Sequence, residues 1–309
     1  MTEENLQPLE HKYRISVVIP NYNYAQYIGE ALDSVLRQSF PPHEIIVVDD
    51  GSTDNSVNVV NTYGDRVRLI EQQNQHLSAA RNTGIQAATG NWIALLDSDD
   101  IWHPRKLEFQ VQALEQHSHW TFVSSQPDET DRFPQPLAPD LKPKSREINI
   151  TDFITKNQMS GSDALIKKDC FSETGLFDTS LRSCEDRDMW HRLTRICYGG
   201  QVLLPLYRYR KHPLQMNHNI DLMIETRRTV IHRLFKNNPD LKAFKNQAWS
   251  NHYFEAAVSY RDHVHQPLAA IGNTLLSLAR YPGNYYPGIT TMRLKFLVVT
   301  LLRMITPGK

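Results

Sequence analysis

"WIALLDSDDIWHPRK", residues 92–106, runs five apolar or small residues straight into Asp97, Asp99 and Asp100, three carboxylates within four positions. Like charges this close raise one another's pKa unless a cation neutralises them, so the cluster is either solvated or built for a metal. The five residues before it read as a short buried strand, and three similar runs precede it: "ISVVIP" (15–20), "EIIVVDD" (44–50) and "RVRLIE" (66–71). Between the runs lie amphipathic segments at Gln26–Arg37, Asn55–Tyr63 and Ser78–Ala88, each with the length and period of a helix. This alternation predicts an α/β fold with a mainly parallel central sheet flanked by helices. Ligands of such sheets sit beyond the carboxyl ends of the strands. The four runs end in "PNYN", "DDGSTD", "QQNQ" and "DSDD", so one edge of the sheet is polar at every strand.

A chain of 309 residues can hold one large domain and a smaller appendage. The expected division is 1–212 for the α/β domain and 213–309 for an all-helical C-terminal region. Lys plus Arg and Asp plus Glu both number 34, so no global field recruits nucleic acid, and no nucleic-acid partner is expected. Cys170, Cys184 and Cys197 are an odd count without short paired spacing, which fits reduced thiols of a cytosolic protein. "MTEENLQPLEHKYR" carries nothing like a signal peptide, and no run reaches the roughly 18 apolar residues of a membrane span. A cytoplasmic protein is expected, at most peripheral at the inner face of the membrane.

"VSSQPDETDRFPQPLAPDLKPKS", residues 123–145, reads as a surface loop, too polar and too broken for core. Beyond it, helices are expected at Glu185–Ile196, Leu214–Phe235, Leu241–Val264 and Pro267–Arg280. The last segment, "MRLKFLVVTLLRMIT" (292–306), is apolar over most of a helical circumference, with Arg293, Lys295 and Arg303 near its ends. Burial against the other C-terminal helices is its first reading, and peripheral docking on an anionic membrane its second.

Three clusters carry chemistry. In "VVDDGSTDNS" one polar residue must close a turn or cap the next helix, but that does not require two adjacent acids, which favours Asp50 for ligand contact. A calcium loop starting at Asp97 would place Ile101 and Trp102 at its fifth and sixth positions, where a ligand and a glycine belong, so that reading fails. A phosphatase-type D-x-D nucleophile, as in the haloacid dehalogenases, would end the first strand, whereas three strand–helix units precede this one. A D-x-D pair holding Mg²⁺ or Mn²⁺ against a substrate diphosphate fits both place and residue type. "EDRDMW" sets Glu185, Asp186 and Asp188 at a helix start, where the dipole alone favours acids. Arg81 stands near the active edge, either reaching phosphate or serving as an ordinary surface arginine. Arg210 and His212 in "YRYRKHP" face either the site or solvent.

Together "VVIPNYN", "VVDDGSTD", "SAARNTG", "LLDSDD" and "EDRDMWHRL", in this order, resemble the inverting family 2 glycosyltransferases with the GT-A nucleotide-diphospho-sugar transferase fold. The resemblance runs from Ile15 to about His212. It implies that Pro20 and Tyr22 line a base pocket, that Asp50 binds the base edge, and that Arg81 lies near the nucleotide. It makes Asp97 a contact to ribose or metal, Asp99 the principal metal ligand, His212 a further metal or diphosphate contact, and Asp186 the catalytic base. The implied donor is a nucleotide-diphospho-sugar, a UDP-sugar first of all, with Mn²⁺ or Mg²⁺ as cofactor and a glycan or lipid-linked hydroxyl as acceptor. The implied setting is polysaccharide synthesis for the cell envelope, or glycolipid or glycoprotein glycan synthesis. A non-catalytic nucleotide-sugar-binding or scaffold module is the alternative, against which the complete acid set argues. Homodimerisation through the helical region is left open.

Overall fold

The computed structural model describes residues 12–128, 134, 137–138, 140–155, 159–212, 215, 219–284 and 287–305. The chain forms two compact units: Met1–Asn149 with Met159–Lys211, and Ile150–Gln158 with His212–Lys309.

In the first unit, β1 (Ile15–Asn21), β2 (Glu44–Asp49), β3 (Arg68–Glu71) and β4 (Trp92–Leu95) pair in parallel in the order β3-β2-β1-β4. They are joined through α1 (Ala25–Leu36), α2 (Ser56–Asn61) and α3 (His76–Ala87). All of β1 and β4 is buried, which is why these strands read as largely apolar runs rather than alternating ones. Helix α3 comes so close that a side chain at Gly84 would strike Val18.

Beyond β4 the sheet becomes mixed. After β5 (Ile101–Trp102) and α4 (Lys106–Gln116) come β6 (Phe122–Asp128), β7 (Ser145–Ile148), β8 (Leu165–Lys167), α5 (Cys170–Thr174), α6 (Glu185–Ile196) and β9 (Gly199–Arg208). Strand β8 runs antiparallel to both β4 and β6, β9 runs parallel to β6, and β5 and β7 run antiparallel to β9. The expected loop at 123–145 therefore begins as an interior strand. Its polar residues are satisfied within the sheet: Ser125 N–H donates to Asp163 Oδ2 at 3.3 Å, and Gln201 Nε2 to Ser125 O at 3.2 Å. The register slips at Gln126 and Pro127, where the proline falls on a bulge. The stretch 129–133, with 135–136 and 139, lies outside the described residues. Strand β9 was not foreseen either, because "GGQVLLPLYR" has glycines and a proline where a strand is not expected.

Inside the sheet–helix layer Lys106 is fully buried. Its Nζ lies 4.1 Å from the Trp102 ring centroid and donates to Gln110 Oε1 at 2.9 Å and to Asp163 O at 3.2 Å. Burial pushes the Lys106 ammonium down and the Asp163 carboxyl up.

The second unit is helical: a segment at Ile150–Thr155, α7 (Ile220–Asn237), α8 (Lys245–Asp262), α9 (Pro267–Arg280) and α10 (Ile289–Ile305). Ile150 and Ile154 join Ile231, Leu234, Leu241, Ala248 and Trp249 in one apolar cluster, while Phe254, Ala257, Ala270, Ile289 and Phe296 form another. Much of the stretch before α7, at 213–214 and 216–218, lies outside the described residues. The sequence reading of Arg293 as a flanking cation is overturned, because its side chain is fully buried. It donates to Ser250 Oγ and Tyr281 O, both at 2.8 Å, and to Gly283 O at 2.9 Å, tying α8, α9 and the 281–283 turn to α10. Burial of the whole last helix does not hold either. Only Ile289, Arg293, Phe296 and Thr300 of α10 are buried, a one-sided stripe at helical spacing.

Candidate active site

The polar strand ends assemble along one edge of the first unit. After β2 the two adjacent acids divide their work. Asp49 closes the turn, accepting from Ser52 N–H at 2.8 Å, Ser52 Oγ at 2.7 Å and Asn21 Nδ2 at 2.9 Å. Asp50 points elsewhere: its Oδ1 accepts from Gln72 Nε2 at 2.7 Å and from Gln75 N–H at 2.9 Å. Gly51 makes the turn at φ +78°, with Asn74 N only 3.1 Å from where a Cβ would sit, so no larger residue fits. The loop after β1 is stitched to this turn by Asn23, at φ +57°, whose Oδ1 accepts from Thr53 N–H at 2.7 Å. Pro20 is buried in β1, whereas Tyr22, at the loop after it, is 46% exposed.

After β4, Asp97 and Asp99 are half-buried and Asp100 is fully buried. Burial first, and then the charges of Asp99 and Asp97, push the Asp100 carboxyl well above the usual carboxylate range. Its Oδ1 accepts from the Arg210 N–H at 2.9 Å. The Tyr24 phenol is likewise raised, by burial and then by Asp99 and Asp97, so this tyrosine adjoins the same charges. The segment 160–163 wraps the cluster: Ser162 Oγ accepts from Asp97 N–H at 3.1 Å, and Trp102 Nε1 donates to Ser162 O at 2.6 Å.

Arg81, on α3, lies between two acids rather than at the surface. It is 2% exposed, donating from Nη2 to Asp97 Oδ1 and from Nη1 to Glu185 Oε1, each at 2.6 Å. Its guanidinium carbon lies 5.3 Å from the Phe177 ring centroid. Burial pulls this guanidinium down, but Asp97 and Glu185 outweigh it and hold it above its ordinary range. Burial pushes Glu185 up against the pull of Arg81. Thus one cation links the end of β4 to the start of α6. A Cβ at Gly161 would collide with Arg81 Nη2 and stand 2.7 Å from Asp97 Oδ2. Gly161→Ala is therefore expected to cost about 1–3 kcal/mol, the usual scale of overpacking, measured as a lowered thermal midpoint.

Asp186 is the second residue of α6, half-buried, with Oδ1 accepting from Arg187 N–H at 2.6 Å. Its helix starts abruptly after Cys184 at φ +54°. The structure brings Asp186 and the β4 carboxylates into one electrostatic neighbourhood: Tyr209 is raised by burial and then by Asp100, Asp99, Asp97 and Asp186 together. His212 is the first residue of the second unit; it is buried, and its N–H donates to Gln215 Oε1 at 3.2 Å. Gly161, Ser162 and Tyr209 were not singled out as site residues from sequence, and Glu185 was read only as part of the acidic helix start, not as a partner of Arg81. "SGSD" at 160–163, with a glycine between two serines, was the available signal.

Among the described residues no three His, Cys, Asp or Glu side chains converge as a metal-holding group. Two carboxylates at a strand end under like-charge pressure are nonetheless a donor set suited to a hard divalent cation whose remaining ligands come from substrate oxygens.

A parallel-to-mixed sheet with acids at the ends of β2 and β4 and an acidic helix start beside them defines the class, the GT-A glycosyltransferase fold. The chain belongs to glycosyl transferase family 2, whose pattern residues 16–175 match. It is 33% identical over 189 residues to an uncharacterised glycosyltransferase of Rickettsia felis, covering 59% of this chain and 31% of that one. To another from Rickettsia prowazekii it is 31% identical over 198 residues, 62% of each. The chain thus spans less than two thirds of the length of these relatives. Among solved structures, S. aureus TarS 1–349 in complex with UDP-GlcNAc matches with a TM-score of 0.63 and 19% identity, over 93% of this chain and 89% of that one. The Pyrobaculum calidifontis mannosyltransferase PcManGT, in complex with GDP-Man and Mn²⁺, matches with a TM-score of 0.55 and 19% identity, over 96% and 88%. At these identities the likeness is one of fold.

Proposed function

We propose that this chain transfers a sugar from a nucleoside-diphosphate donor to an acceptor hydroxyl, with inversion at the anomeric carbon. The observation that carries the reading is the Asp97–Arg81–Glu185 bridge, which ties the D-x-D strand end to the helix start on which Asp186 is the second residue. Asp50 would take a base N–H on the oxygen opposite its two glutamine partners, with Pro20 and Tyr22 walling the base. Mn²⁺ or Mg²⁺ held by Asp99 and Asp97 would neutralise the leaving nucleoside diphosphate. Asp186 would take the proton from the acceptor hydroxyl as its oxygen attacks the anomeric carbon from the face opposite the leaving group. A single displacement inverts the centre and needs no covalent nucleophile. Arg81 would act as a positioning residue, since both its terminal nitrogens are held by carboxylates. The sugar-nucleotide complexes of the two solved structures, one with UDP-GlcNAc and one with GDP-Man, support a donor of this class; a UDP-sugar is the first to test because the motif resemblance implies it. The acceptor we assign is a glycan or lipid-linked hydroxyl of cell-envelope polysaccharide, glycolipid or glycoprotein glycan synthesis.

The test is calorimetric titration with a panel of nucleotide sugars, with Mn²⁺ and with chelator. Wild type is expected to bind one nucleotide class only with the cation present. Asp99→Ala should weaken that binding by about 100-fold or more, beyond the usual loss for an outer-shell change, while the thermal midpoint is kept. Equal affinity with cation and with chelator would remove the metal from the reading.

A further inference from the structure

We propose that the outward face of α9 and α10 docks on an anionic lipid bilayer, holding the protein on a membrane surface. The buried stripe of α10, Ile289, Arg293, Phe296 and Thr300, leaves the rest of the helix facing out. On that side stand Leu294, Val298, Leu301, Leu302 and Ile305, with Val298 and Leu302 each 54% exposed and Ile305 75%. The neighbouring α9 adds Leu268, Leu275 and Leu276, with Leu268 73% exposed. Leucines and valines gathered at this density on two adjoining helices make a patch, not the scattered single residues of an ordinary surface.

Charge decides what covers it. Neither helix contains an aspartate or glutamate, while Arg280, Lys295 and Arg303 are exposed. The acid adjoining Arg303 is Asp262, at the end of α8, and it is already paired with Arg261 at 2.7 Å. An isologous contact through these two helices would set the cations of one copy against a face of the other that carries the same cations and no carboxylate to offset them. An anionic bilayer offers hydrocarbon to the apolar side chains and negative headgroups to the cations. No helix among the described residues is long and apolar enough to cross a membrane, and α10, 17 residues or about 25 Å long, would lie in the interface plane. The inference stands on the second unit alone and is independent of the glycosyl-transfer reading.

The experiment is co-sedimentation with vesicles of mixed phosphatidylglycerol and phosphatidylcholine, or of phosphatidylcholine alone, at low and high salt. Wild type is expected to partition to the anionic vesicles about tenfold or more above the neutral ones, with the preference lost at high salt. Val298→Glu with Leu302→Glu should abolish sedimentation with an unchanged thermal midpoint, since both side chains are exposed. Lys295→Glu with Arg303→Glu should remove only the preference for anionic lipid. Failure of wild type to sediment at low salt overturns the proposal, as does sedimentation that survives both double variants. It is equally overturned if sedimentation velocity shows a dimer that Val298→Glu with Leu302→Glu dissociates while no vesicle binds, because a second copy then covers the face.

Discussion

Asp186→Asn is expected to keep donor affinity while lowering turnover by roughly two to four orders of magnitude, the scale of a lost general base. The amide preserves the shape and the hydrogen bond from Arg187 N–H but cannot take a proton. Asp186 is the second residue of its helix, where backbone N–H groups favour a carboxylate, so part of its local setting is tuned to negative charge. Titration should therefore show donor binding near the wild-type value, and single-turnover measurement should show the chemical step alone slowed. Unchanged turnover would move the base role to Glu185 or Asp188, which are paired with Arg81 at 2.6 Å and with Arg192 at 2.9 Å.

The second large effect is expected at Arg81. Arg81→Met keeps most of the side-chain volume but leaves Asp97 and the buried Glu185 without their shared cation. Breaking a buried ion pair from one side costs about 3–5 kcal/mol, far more than the pair itself contributes to stability. The sign with pH follows from what remains. Without Arg81 the Glu185 carboxyl keeps the burial that pushes it up and loses the cation that pulls it down, so its folded-state value lies above the unfolded one and the fold is disfavoured as pH rises through it. The deficit in chemical denaturation should be largest at neutral pH and above, shrink as pH falls through the raised folded-state value of Glu185, and level off by about pH 4, near the unfolded value of Glu. Adding Glu185→Gln should recover part of the loss, and the double-mutant cycle measures the coupling directly. Arg81→Lys should recover little, because a single ammonium cannot fork between two acids. If Arg81→Met melts like wild type, the bridge does not organise the site.

How much of this was legible beforehand varies by element. The runs at 15–20 and 44–50 announced β1 and β2 because both faces of a parallel strand are covered, so within them only Ser16 is polar between their ends, and its hydroxyl is satisfied by Glu44 at 2.6 Å. Helix α6 was readable to its ends, as Met189, Trp190 and Leu193 repeat on one face behind three acids. Strands β6 and β9 were hidden for the opposite reason. Ser124, Ser125 and Gln201 look like loop residues until their partners arrive from 163 and 200, and nothing local records those partners. The same holds for Cys170 and Cys197, which stand near enough to shift each other's ionisation, Cys170 down and Cys197 up, although their spacing offered no sign of it.

The sequence by itself determined that acids gather at the carboxyl ends of parallel strands, since strand period, apolar runs and the residues that follow them are local properties. It also presented Asp49 and Asp50, and likewise Glu185 and Asp186, as near-equivalent neighbours. Only the tertiary structure separated each pair. Asp49 turns back into its own loop while Asp50 reaches Gln72 and Gln75, and Glu185 is drawn inward to Arg81 while Asp186 stays half-exposed. Successive side chains point in different directions from a strand or a helix start, and which direction meets a partner depends on what the rest of the chain packs there. The last helix shows the same division: its composition is nearly all-round apolar, but which side of it is buried was decided by where the Ser250 hydroxyl of α8 and the carbonyls of Tyr281 and Gly283 hold Arg293.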